Sequence, residues 1–296
     1  MSFFLKNNKK RPSHGAKIPP KSAFGHYNKK QGVRASLLRQ EEGERQKQIS
    51  VSDLTLSYDK LTVISSLSFD IHEGDYLAII GENGSGKSTL MNALLGLLEP
   101  SGGEIKSLVK KSEIGVLNQT ALEDIDFPAT VREVVLSGCL GRDGNKLLLG
   151  KSAKQKAFSA MEKLGITSLA DRSFKELSGG QRQRALIARA LCSAKSILFL
   201  DEPTTALDRA VTADLYALMD DLNRSGMTIV TVTHDLRSAL DRSSHILHVS
   251  RDSCPHLPTE EYKKTPSAQA ILASSDQKDD TLPYGEGGFR YTGGQS

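Results

Sequence analysis

The sequence predicts an α/β fold built on a mostly parallel sheet, and three observations carry that reading. Nearly continuous apolar runs at residues 76–80, 197–200 and 228–233 read as strands buried on both faces. A stretch with helical spacing, residues 209–223, separates the last two runs, the order of a parallel crossover. A glycine-rich turn follows the first run at once and leads into another helical stretch. The chain has 296 residues, 38% hydrophobic and 25% charged, enough for a sizeable core. That composition excludes collagen-like, coiled-coil and wholly disordered chains.

Residues 1–48 hold twelve Lys/Arg against three Asp/Glu, a net charge of +9, with no sustained apolar period. They read as a basic, flexible arm. The remainder carries 27 bases and 32 acids, so a mildly acidic body follows. Regular structure is expected from Ile49, where residues 49–57 alternate apolar and polar as a half-exposed strand does. Residues 61–71 repeat the alternation through Val63, Leu67, Phe69 and Ile71. After the 76–80 strand come a helix at 88–98 and short strands at 103–105 and 114–117. The middle is helical, with apolar spacing over 130–137, 152–164 and 179–194, and reads as an inserted subdomain at about 120–185. A last strand fits 246–249, which ends the expected core at Ser250. Residues 251–296 read as a tail, with a helix or two within 259–274 and a Gly-rich end.

Cys139, Cys192 and Cys254 are sparse, odd in number and far apart, which argues against a disulfide framework and for a reducing compartment. No run of 18 apolar residues exists, and residues 1–5 lead into polar and basic sequence without a signal-peptide core. The expectation is a cytoplasmic chain whose membrane-spanning partner, if it has one, is another polypeptide.

Gly81-Glu82-Asn83-Gly84-Ser85-Gly86-Lys87-Ser88-Thr89 fits G-x-x-x-x-G-K-[ST], directly after a buried strand and at a helix start. Glycines let the backbone wrap phosphate oxygens so that successive N–H groups point inward, and the helix N-terminus adds its dipole. Lys87 can reach the β- and γ-phosphates, and the Ser88 hydroxyl can hold Mg²⁺. The strand 197–200 ends on Asp201, at the carboxyl edge of the sheet where ligands bind in open α/β folds. Asp201 would hold Mg²⁺ directly or through water, and Glu202 would polarise an attacking water.

Leu177-Ser178-Gly179-Gly180-Gln181 opens a helix just upstream of that strand. With this pentapeptide beside the phosphate loop, the chain resembles the nucleotide-binding subunits of ATP-binding cassette (ABC) transporters over about residues 49–249. The resemblance implies a P-loop NTPase (RecA-like) core with an antiparallel β subdomain and an inserted helical subdomain. It implies ATP and Mg²⁺ as cofactors and ATP hydrolysis as the activity. It gives Tyr58 the place of the aromatic that stacks on adenine, and Gln119 that of the glutamine contacting Mg²⁺ or the attacking water. Ser178, Gly179, Gly180 and Gln181 take the signature's place, facing the γ-phosphate held by another subunit. Ala206-Leu207-Asp208 resembles the loop that crosses the dimer interface, and His234 matches the histidine that holds the γ-phosphate. One phosphate loop and one signature per chain imply a head-to-tail homodimer.

Residues 126–138, from Asp126-Phe127-Pro128 through Thr130 to Gly138, look like the corresponding stretch of manganese/zinc importer ATPases. The implied function is to power metal-ion import through a separate integral membrane permease, with a solute-binding protein as an indirect partner. The chain would lie peripherally on the inner face of the cell membrane, with no specific nucleic acid expected. The alternatives are an importer for another solute such as a metal chelate, or a non-transport ABC ATPase. His245, His248, Cys254 and His256 resemble a metal cluster only superficially. The three-residue spacing of His245 and His248 sends them to opposite faces of a strand, unless the following loop folds back.

Overall fold

The computed structural model describes residues 45–58, 61–118, 128–140, 150–205, 207–250 and 253–279. Their alternating and continuous apolar runs form two sheets. The first is antiparallel, ordered β2-β1-β4, from β1 (Lys47–Tyr58), β2 (Leu61–His72) and β4 (Gly102–Ser107). Alternation buries Leu67 and Phe69 of β2, and a register shift between Val51 and Leu54, with Asp53 at φ +46°, keeps both of those β1 residues buried as well.

The second sheet has the order β5-β6-β7-β3-β8-β9. Its strands are β3 (Tyr76–Ile80), β5 (Ile114–Leu117), β6 (Ile197–Asp201), β7 (Thr228–Val232), β8 (His245–His248) and β9 (His256–Pro258). The first five are parallel and β9 runs antiparallel to β8. Every residue of β3 and β7 is buried, as expected for strands covered on both faces.

Helix α1 (Lys87–Leu94) leaves β3 through the glycine turn. It is shorter than the apolar pattern suggests, because Gly96 at φ +63° lets the chain close the helix end with bonds back to Ala93 and Asn92. The middle of the chain supplies α2 (Val131–Ser137), α3 (Lys151–Lys163) and α4 (Gly179–Ser193). Their apolar faces meet around Val135, Met161, Phe174 and Ala185. Thr130 caps α2 in a reciprocal box with Glu133, as its type and position predict. Helix α4 also packs closely on β5: a Cβ on Gly115 would lie 2.4 Å from the Ala190 carbonyl. Helices α5 (Arg209–Arg224) and α6 (Leu236–Arg242) complete the parallel crossovers.

The fold continues past Ser250. Strand β9 adds to the sheet edge, followed by α7 (Thr259–Tyr262) and α8 (Pro266–Asp279). Tyr262 is 1% exposed and Ala268 fully buried, in a cluster with Ile80, Leu240 and Ile246. The loop after β8 does fold back. His256 stacks on His245 with ring centroids 5.2 Å apart and lies 5.3 Å from the Phe69 ring. Among the described residues no group of three or more His, Cys, Asp or Glu is placed to hold a metal ion.

Burial and then the adjacent His245 push the His256 pKa down from 6.5 to about 4. The unfolded chain therefore binds this proton first, and stability should fall as pH drops from about 6.5 towards about 4. His256→Leu should remove that component. Denaturant unfolding at pH 7 and pH 4.5 should show a smaller acid loss in the variant than in the natural chain. Equal losses would contradict the assignment.

Candidate functional site

The site is assembled by strand register. Ile79 of β3 pairs with Val232 of β7, which pairs with Asp201 of β6, so three carboxyl ends lie in one row. From that row leave the 81–86 turn, Glu202 and His234.

The turn needs glycine at specific points. Gly81 has φ +148°, and a Cβ there would sit 2.2 Å from the Val249 carbonyl oxygen. Gly86 has φ +105°, and its Cβ would meet Val63 Cγ1 at 2.4 Å. No side chain caps α1, which leaves the N–H donors of its first turn available to an anion. Ser85 is buried, and its hydroxyl is unpaired among the described residues. Lys87 is 6% exposed, and its ammonium donates to the carbonyls of Gly81 at 2.9 Å and Glu82 at 2.7 Å. Burial pushes the Lys87 pKa down, and the charges of Glu202 and Asp201 oppose that shift. Burial, then Glu202, pushes the Asp201 carboxyl up, against the pull of Lys87. Unsatisfied donors and a buried cation around a loop that admits no Cβ at Gly81 or Gly86 suit a polyphosphate chelating a hard divalent cation. Glu82, Asn83, Gly84 and Ser88 are exposed and Thr89 is buried.

Glu202 sits at φ +46°, and its N–H donates to the Val232 carbonyl at 2.9 Å. Its Oε2 accepts from Thr205 Oγ1 at 3.1 Å and lies 3.3 Å from His234 Nδ1. The His234 side chain is 64% exposed while that of Glu202 is 17% exposed. The sequence motifs therefore do bring Lys87, Asp201, Glu202 and His234 to one sheet edge.

Ser178 caps α4 through a reciprocal box with Gln181. Ser178, Gly179, Gly180 and Gln181 line a pocket of about 560 Å³ together with Ser168 and Asp208. No residue of the 81–89 loop lines that pocket. Asp208 caps α5 by accepting from Val211 N–H at 2.9 Å. Gln119, Ala206, Asp126 and Phe127 lie outside the described residues, as does the side chain of Tyr58, which ends β1. Sequence reasoning missed Gln183, which is 2% exposed and donates to the Pro203 carbonyl at 2.8 Å. It ties the signature helix to the turn after Asp201. A polar residue on the apolar stripe of Leu186, Ile187 and Ala190 was the available signal.

Comparison with known proteins decides the family. Residues 64–205 match the ABC transporter model. The chain is 36% identical over 217 residues to the manganese transport system ATP-binding protein MntB of Bacillus subtilis, covering 72% of this chain and 87% of that protein. The chain belongs to the ABC transporter family. It is 38% identical over 204 residues to the zinc transport system ATP-binding protein TroB of Treponema pallidum, covering 67% of this chain and 77% of that one. It also superposes on an ABC transporter described as metal-chelate type, in an inward-facing conformation, with a TM-score of 0.68. That match has 34% identity and covers 77% of this chain and 89% of the other. As an ABC transporter ATP-binding subunit, the chain is an ATPase of the P-loop class, and its activity is ATP hydrolysis coupled to transport. Among the described residues no helix is long and apolar enough to cross a membrane.

Proposed function

We propose that this ATPase powers import of a manganese- or zinc-type metal ion through a separate membrane permease fed by a solute-binding protein. It works as a head-to-tail homodimer held peripherally on the inner face of the membrane. The observation that supports the dimer is the separation of the signature pocket from the chain's own phosphate loop. A second copy would bring Ser178, Gly179 and Gly180 against the nucleotide of the first, with Asp208 beside the crossing. Identity to manganese and zinc transport subunits over most of their length supports the cargo class.

In this reading the loop from Gly81 to Thr89 holds the ATP phosphates, with Lys87 supplying positive charge to the β- and γ-phosphates. Ser88, Asp201 and Gln119 would hold Mg²⁺, which when bound neutralises charge on the phosphate oxygens. Tyr58 would stack on the adenine. Glu202 takes the proton of the attacking water, and His234, beside it, holds the γ-phosphate. Asp201 and Glu202 carry separate duties although adjacent, because Asp201 ends the strand and Glu202 turns out of it at positive φ.

The test is reconstitution with the permease and the solute-binding protein in vesicles. ATP-driven uptake of Mn²⁺ or Zn²⁺, absent in the Glu202→Gln variant, is the expected result. Uptake of a ferric chelate but of neither free ion would overturn the cargo assignment.

A further inference from the structure

Glu202 and His234 leave two different strands, and one buried phenol holds the turn that carries His234. Tyr216 lies on α5 and is 7% exposed. Its hydroxyl donates to Asp235 Oδ2 at 3.1 Å. The same Asp235 oxygen accepts from Ser238 Oγ, so phenol and serine hold one carboxylate. Asp235 follows His234 and is itself immobilised: it accepts from Ser238 N–H at 3.1 Å and Ser238 Oγ at 2.7 Å. The Asp235 N–H donates to Thr233 Oγ1 at 3.0 Å, and the Thr233 N–H to the Ile79 carbonyl at 3.2 Å. On the other side of the site, Thr205 holds the Glu202 carboxylate.

The His234 side chain is largely exposed, so little packing fixes it, and its aim depends on the turn that carries it. Glu202 is better held: its side chain is mostly buried, its carboxylate accepts from Thr205, and its turn is braced by Gln183 at Pro203. We infer that Tyr216 is a positioning residue for ATP hydrolysis: its hydroxyl holds Asp235, and with it the turn that carries His234, keeping the histidine in register with Glu202. Burial raises the phenol's pKa, which keeps it a donor across the working pH range. The Arg242 guanidinium lies 4.7 Å from the centre of the Tyr216 ring and pairs with Asp220, so the ring's packing does not depend on its hydroxyl.

This inference rests on the roles given above to Glu202 and His234. The experiment is steady-state Mg-ATP hydrolysis by the full chain carrying Tyr216→Phe, with Tyr76→Phe and Glu202→Gln alongside. Tyr76 is a fair control, because among the described residues its hydroxyl hydrogen-bonds only Met219 Sδ, at 3.9 Å, in the same core. Tyr216→Phe should lower kcat roughly ten- to hundredfold with KM for ATP within about threefold of the natural value. Tyr76→Phe should leave kcat within about twofold. An unchanged kcat in Tyr216→Phe, a loss confined to KM, or an equal loss in Tyr76→Phe would each overturn the positioning role. If Glu202→Gln hydrolyses ATP normally, the reading of the site fails. If it is inactive while Tyr216→Phe is not, only the role of Tyr216 fails.

Discussion

Lys87→Ala is expected to lower ATP affinity at least about a hundredfold, equivalent to roughly 2.7 kcal/mol. The residue puts a buried cation inside the loop, and its ammonium is braced by the carbonyls of Gly81 and Glu82. An ammonium has three N–H donors, and those carbonyls take two of them. Charge-assisted bonds to phosphate are about twice as strong as neutral ones, and truncation also leaves two loop carbonyls without their donor. Both effects act on the same loop, so binding should suffer more than overall stability. Calorimetric titration with Mg-ATP checks this, with a melting curve alongside. Affinity within about threefold of the natural chain would remove Lys87 from the phosphate site.

Glu202→Gln is expected to have the largest effect on turnover, a loss of roughly a hundredfold to ten-thousandfold in kcat with ATP binding kept. The amide has nearly the shape of the carboxylate and can still accept from Thr205 Oγ1, so the turn should survive. What it cannot do is accept a proton from water. Single-turnover hydrolysis separates this from slow product release. A variant that retains more than about a tenth of the natural rate would exclude Glu202 as the general base.

Much of this arrangement was readable before any coordinates. Continuous apolar runs placed β3, β6 and β7, and β5 was delimited at Ile114 and Leu117. The phosphate loop was readable because glycine, lysine and serine at fixed spacing after a strand have few other uses. Features set by long-range packing were not. Strand β9 is three residues long and includes a proline, so its local sequence carries no alternation; it forms only because β8 offers an open edge. Helix α6 spans only seven residues, and its capping Asp235 adjoins His234. Tyr216 occupies an apolar-stripe position of α5 together with Leu215, Met219 and Leu222, where an aromatic reads as core. Its hydroxyl acquires meaning only when the turn after β7 brings Asp235 within its reach.

The central claim is that one chain binds ATP but needs a second copy to complete the site around it. Sedimentation velocity of the Glu202→Gln protein, with and without saturating Mg-ATP, tests it most directly. Blocking hydrolysis should trap two nucleotides, each between the phosphate loop of one copy and the signature of the other. The account predicts a monomer without nucleotide, a dimer with Mg-ATP, and no dimer when Ser178→Arg is added to fill the signature pocket. A Glu202→Gln protein that binds Mg-ATP and remains monomeric would contradict it.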